Sequence, residues 1–153
     1  MQYALTQIKS NYILMASCLS WASAQIIKTF IDFFVTKKFS SERLVGAGGM
    51  PSAHSAFVSA LTVSTGRLCG LSSPEFAITF SLACVVVYDA MGVRRAAGEQ
   101  AKVINILADE LFKIIRPEDK IVKQLKELLG HTPLEVLAGI ILGTTIAMLF
   151  KGF

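Results

Sequence analysis

The chain has 153 residues, 53% of them hydrophobic and 17% charged, with a formal net charge of +4. Its length suits one domain, and its mean hydropathy of +0.56 sets it apart from ordinary water-soluble chains. That balance points to membrane lipid as the surroundings, and no nucleic-acid partner is expected.

Four apolar runs follow one another along the chain: Asn11–Val35, His54–Leu71, Glu75–Met91 and Leu134–Phe150. Each approaches the ~17–25 residues a membrane helix needs, the last three at the short end. The competing reading, a soluble core of buried helices, is disfavoured by finding four such runs in so short a chain. Ala22-Ser23-Ala24 resembles a signal-peptide cleavage site, but the apolar run continues past it, so an uncleaved first helix is expected. The segment Phe39–Met50 carries Ser40, Ser41, Gly46, Gly48 and Gly49 and reads as a loop. Pro51 is expected to open the second helix, Ser72-Ser73-Pro74-Glu75 the third, and Met91-Gly92 to end the third. Ala96–Leu129 is amphipathic, with Val103, Ile104, Leu107, Leu111, Ile114 and Ile115 at helical spacing. Arg116-Pro117 interrupts it before a second stripe of Ile121, Val122, Leu125, Leu128 and Leu129. These helices could lie on the membrane surface or cover a site. Cys18, Cys69 and Cys84 lack metal-ligand spacing and read as inert packing residues.

With about four spans, the loops after the first and third apolar runs share one side. That side carries Lys37, Lys38, Arg43, Arg94, Arg95, Lys102, Lys113, Arg116, Lys120, Lys123 and Lys126, against Lys9, Arg67 and Lys151 on the other. The positive-inside rule makes the more basic side cytoplasmic.

Two segments on that side join a histidine to helix-opening residues: Gly48-Gly49-Met50-Pro51-Ser52-Ala53-His54 and Gly130-His131-Thr132-Pro133-Leu134-Glu135. Helix N-termini attract anions, phosphate above all, and the glycines at 46, 48 and 49 permit an anion nest or a plain loop. Ser52 could cap its helix or donate to a phosphate oxygen. Glu135 could close a capping box with Thr132 or hold the His131 ring one helical turn away. Lys28 and Asp32 lie four residues apart within the first run, where ionisable groups usually face a polar interior; an interior Lys28 is favoured, with Asp32 and Asp89 left open. Gly139 and Gly143 suit close helix contact, within the monomer or, less favoured, in a homo-oligomer.

These residues resemble the type-2 phosphatidic acid phosphatase and vanadium-dependent haloperoxidase superfamily, in its small divergent membrane branch. Its Pro-Ser-Gly-His motif is matched by Pro51-Ser52-Ala53-His54, and its histidine followed four residues later by aspartate is matched by His131 and Glu135. Tyr88–Arg95 and Leu129–Pro133 resemble signatures of the divergent branch. The likeness runs from Gln25 to Gly143. It departs from the family where Lys37 precedes Arg43 by six residues, where Leu44 replaces a proline, and where Leu125 stands in place of an arginine.

The resemblance implies an all-α polytopic membrane bundle, a single domain over residues 1–153. About four transmembrane helices are expected, with amphipathic helices between the third and fourth. It further implies phosphoryl transfer through a phosphohistidine. His131 would be the nucleophile, Glu135 its orienting group, and His54 the acid that protonates the leaving oxygen. Lys28, Arg43, Gly49, Ser52, Arg94 and Arg95 are the candidate phosphate-binding residues. No metal or other cofactor is required. The expected substrate is a lipid phosphate or pyrophosphate at the cytoplasmic face. The alternatives are a non-catalytic anion-binding or assembly protein that kept the fold, and a small transporter using Lys28, Asp32 and Asp89.

Overall fold

Polar caps and glycine breaks set the element boundaries. The computed structural model describes residues 2–37, 49–115 and 130–150. They form α1 (Gln2–Ser10), α2 (Tyr12–Thr36), α3 (Ala53–Cys69), α4 (Pro74–Met91), α5 (Val93–Ile115) and α6 (Pro133–Leu149), with no strand among the described residues. The Asn11 side chain accepts from the Leu14 N–H to open α2, as Ser73 does from Phe76 for α4 and Thr132 from Glu135 for α6. Each bond satisfies a donor that the first helical turn leaves unpaired. Gly92 separates α4 from α5, as the sequence pattern suggests. Pro51 does not open α3: Ser52 is the N-cap and Ala53 the first helical residue. The loop at 38–48, the Arg116-Pro117 break and the second amphipathic stripe lie outside the described residues.

Side-chain placement is inverted relative to a water-soluble bundle. The interior of α2, α3 and α6 is built from small residues: Ala16, Ala24, Ala53, Ala56, Ala60 and Ala147 are all buried. Large apolar side chains stand on the outside, including Phe30 and Phe34 on α2, Ile78 and Val85 on α4, and Ile141 and Met148 on α6. A water-exposed surface of this kind would drive aggregation, whereas small residues inside and bulky apolar ones outside are what lipid favours. The chain is therefore a helical membrane bundle, and the soluble-core reading is excluded.

Two segments are long and apolar enough to cross a membrane, Tyr12–Phe34 and Pro74–Leu111, with Pro133–Leu149 a shorter apolar helix. The second expected span, α3, is not among them: it has 17 residues, and hydroxyl residues occupy its buried faces. It is the central helix, packed against α2, α4 and α6. Two of its hydroxyls turn to nearby carbonyls: Thr65 Oγ1 donates to Leu61 O at 2.8 Å, and Thr62 Oγ1 lies 2.8 Å from Val58 O and 3.1 Å from Thr79 O on α4. From α2, Ser20 Oγ donates to Ala56 O at 3.0 Å. These bonds let those three hydroxyls sit in a dry interior with their donors paired.

Gly139 and Gly143 seat α6 directly on the α3 backbone. A Cβ at Gly139 would overlap Ser52 O, and one at Gly143 would overlap Ala56 O. The glycine pair thus serves packing within the chain, the favoured of its two readings. The cysteines depart from expectation: Cys18, Cys69 and Cys84 are exposed on the outer surface rather than packed inside.

At the end of the bundle away from the histidines, Arg67 ties three helices together. Its Nη1 donates to Tyr12 OH at 2.7 Å, to Met148 O at 3.2 Å and to Ala147 O, while its guanidinium lies 5.8 Å from the Tyr12 ring centre. Tyr12 OH itself donates to Ala147 O at 2.9 Å, and its ring stacks on Phe150. A cation at the C-terminal carbonyls of α6 also complements the helix dipole. Replacing Arg67 with Met is expected to lower stability by about 1–3 kcal/mol, read as thermal unfolding in detergent. An unchanged midpoint would show that these bonds merely exchange for water.

Candidate functional site

The α3 and α6 N-termini meet side by side. The close approach at Gly139 sets Ser52 beside the first turn of α6, and Ser52 N–H donates to Glu135 O at 2.9 Å. The backbone N–H of His131 donates to Ala90 O at 3.1 Å, fixing the residue before the α6 cap to the end of α4. These two bonds bring the histidines together: the His54 and His131 rings are 6.5 Å apart between centres and inclined at 58°.

His131 is 4% exposed, and its Nδ1 lies 3.0 Å from Glu135 Oε2. The same Oε2 accepts from Thr132 N–H at 3.1 Å, while Glu135 N–H donates to Thr132 Oγ1 at 3.3 Å. Glu135 therefore closes the capping box and holds the imidazole at once, so its two readings are not alternatives. A carboxylate can only accept, so in the neutral ring the geometry assigns the proton to Nδ1 and the lone pair to Nε2.

Ser52 is fully buried and acts as the cap of α3. Its Oγ accepts from Ser55 N–H at 3.4 Å and from Ser55 Oγ at 3.0 Å. His54, the second residue of α3, is exposed. Gly49 has φ +83°, a backbone conformation that disfavours a side chain. A Cβ there would also come within 3.3 Å of Lys28 Cγ, so the Lys28 stem lies along this turn. Lys28 is 4% exposed, and Asp32 and Asp89 are half-buried. The interior placement expected of Lys28 is the observed one.

The structure thus brings together His54, His131, Glu135 and Ser52, with Gly49 and Lys28 in mutual contact at the turn that leads into α3. Arg43 lies outside the described residues, as do Gly46 and Gly48. Arg94 and Arg95 belong to the first turn of α5, but their side chains lie outside what is described. Among the described residues, no group of three or more His, Cys, Asp or Glu side chains could hold a metal ion. Sequence reasoning missed Gln25, a buried polar residue one turn before Lys28; its place within an apolar run was the available signal.

Two motif helices starting at one place in a membrane bundle define a phosphatidic-acid-phosphatase-like membrane protein. The comparisons agree. The model of the Divergent PAP2 family matches residues 9–146, and the chain belongs to that family. The chain is also 39% identical to an uncharacterized membrane protein of Bacillus subtilis (strain 168), YuiD. That alignment covers 96% of this chain and 98% of the relative. No solved structure matches the chain.

Proposed function

We propose that the paired histidines bind a phosphate group at the cytoplasmic membrane face and hydrolyse a lipid phosphate or pyrophosphate through a phosphohistidine. The observation that carries this reading is His131 itself, with Nδ1 on Glu135 and its ring 6.5 Å from that of His54. A histidine so held offers Nε2 as the nucleophile. One anion can touch both rings.

In the first step Nε2 of His131 attacks phosphorus, a P–N bond forms, and the P–O bond to the leaving alcohol or phosphate breaks. His54 supplies the proton that the leaving oxygen takes up. Water then attacks phosphorus and gives a proton to His54, the P–N bond breaks, and inorganic phosphate leaves with both histidines regenerated. Glu135 stabilises the charge that the ring gains during attack. Lys28, Ser52 and the Gly49 backbone would hold the non-bridging oxygens, together with the helix N-termini; Ser52 still has a proton to donate. Arg43, Arg94 and Arg95 are assigned to the same task on sequence grounds. The chain would cross the membrane several times, with the basic side inside the cell.

The test is phosphate release from lipid phosphates and pyrophosphates by the purified protein, with and without vanadate, which imitates five-coordinate phosphorus. A paired comparison separates the two roles of Glu135. Glu135→Gln keeps an acceptor for Thr132 N–H and lacks the negative charge, so turnover is expected to fall with little loss of stability. Glu135→Ala removes the cap as well and should cost a further ~1 kcal/mol of stability. Folded wild-type protein that releases no phosphate from any substrate would overturn the hydrolase reading in favour of a non-catalytic anion-binding role.

A further inference from the structure

Gln25 is 8% exposed, and its Oε1 is enclosed without a hydrogen-bond partner. Such an atom is costly to bury. A methionine or leucine would fill a similar volume without that cost, so the carboxamide needs a reason to be there. Its surroundings supply one. Ala24, the preceding residue, packs with Ala53 and Ala56 at the start of α3. Lys28, one turn further along α2 and on the same face, lies against Gly49. Gln25 is therefore level with the helix start that carries Ser52 and His54. The other enclosed and unpartnered side-chain oxygen among the described residues, Ser64 Oγ, lies towards the Arg67 end of α3, away from the histidines.

A carboxamide oxygen only accepts, so whatever completes it must carry a proton. Lys28, buried one turn further along α2, brings a cation to the same level, where an anion is favoured. A phosphate bearing an O–H group on phosphorus meets both demands. We propose that Gln25 is a ligand-binding residue of this site, its carboxamide oxygen accepting a hydrogen bond from the P–OH of a singly protonated phosphate. The assignment rests on the phosphate-site reading above and adds a basis for selectivity: a phosphate with both acidic oxygens esterified has no proton to offer.

The experiment is equilibrium binding to the purified full chain in detergent at pH 6, close to the second pKa of about 6 for a phosphate ester. Inorganic phosphate and dimethyl phosphate are compared on wild type and Gln25→Met, with a thermal melt of each protein. Short-chain phosphatidic acid is run alongside. Gln25→Met is expected to weaken inorganic phosphate by about 10- to 100-fold. Dimethyl phosphate should stay within about two-fold, and the unliganded protein should melt no lower than wild type. The same loss with phosphatidic acid extends the contact to a lipid headgroup; retention there confines it to free phosphate. Equal losses for both small ligands, or no loss for phosphate, would overturn the Gln25 assignment and leave the phosphate site standing. Wild type that binds none of the three would overturn both. Should Gln25→Met not fold, Gln25→Leu is measured in its place, and failure of both to fold would make Gln25 structural and end the proposal.

Discussion

His131→Ala is expected to lower phosphate release by about 10⁴-fold or more, in line with loss of other covalent nucleophiles, while leaving the protein folded. The expectation of folding rests on what the variant retains. His131 holds Ala90 through its backbone N–H, not its ring. The Thr132–Glu135 capping box does not need the ring either. The loss should appear in kcat, because in the proposed mechanism Nε2 bonds to phosphorus only as the reaction proceeds. Single-turnover labelling with a phosphorus-radiolabelled substrate checks the same point: wild type should carry acid-labile phosphate, and His131→Ala none. Turnover unchanged in the variant would remove His131 from the chemistry whatever the geometry.

Gly143→Ala is expected to destabilise the bundle by about 1–2 kcal/mol, and Gly143→Leu to prevent its assembly. Two effects oppose one another here. Alanine raises helix propensity by about 1 kcal/mol over glycine. Against that, the new methyl would meet Ala56 O, Ala56 C and Ala56 Cα, all backbone atoms that cannot turn aside. Overpacking against backbone forces two helices apart and commonly costs about 1–3 kcal/mol or more. The second effect wins because the contact is buried on both sides, and Ser20 Oγ already bonds to Ala56 O. Unfolding in detergent, followed by circular dichroism, measures the balance. A neutral or stabilised Gly143→Ala would mean that α6 stands farther from α3 than described.

The sequence exposed what local chemistry controls. Caps at Asn11, Ser73 and Thr132, the break at Gly92 and the four-residue step from His131 to Glu135 depend on neighbours within one helical turn. The meeting of His54 and His131 was foreseeable because both precede or open helices on one side of the membrane. What stayed hidden depends on distant partners. Arg67 counted only as a charge on the sparsely basic side, since nothing local joins it to Tyr12 or Ala147. Hydrophobic pattern made α3 a span like the others, because periodicity does not distinguish a lipid-facing helix from one whose hydroxyls line the interior. Gln25 passed unnoticed because one amide in a long apolar run barely changes its average.

The two ends of α6 are both fastened to α3, by Ser52 N–H on Glu135 O at one end and by Arg67 on Ala147 and Met148 at the other. Glycine contacts fill the length between them. Two rods pinned at both ends and in contact along their length pivot as one, so the seam between α3 and α6 is not a doorway. On the proposed function, a hydrophobic tail attached to a phosphate would reach the histidines from the α2 and α4 flanks. Breathing of those outer helices, not parting of the central pair, would set how fast a lipid enters.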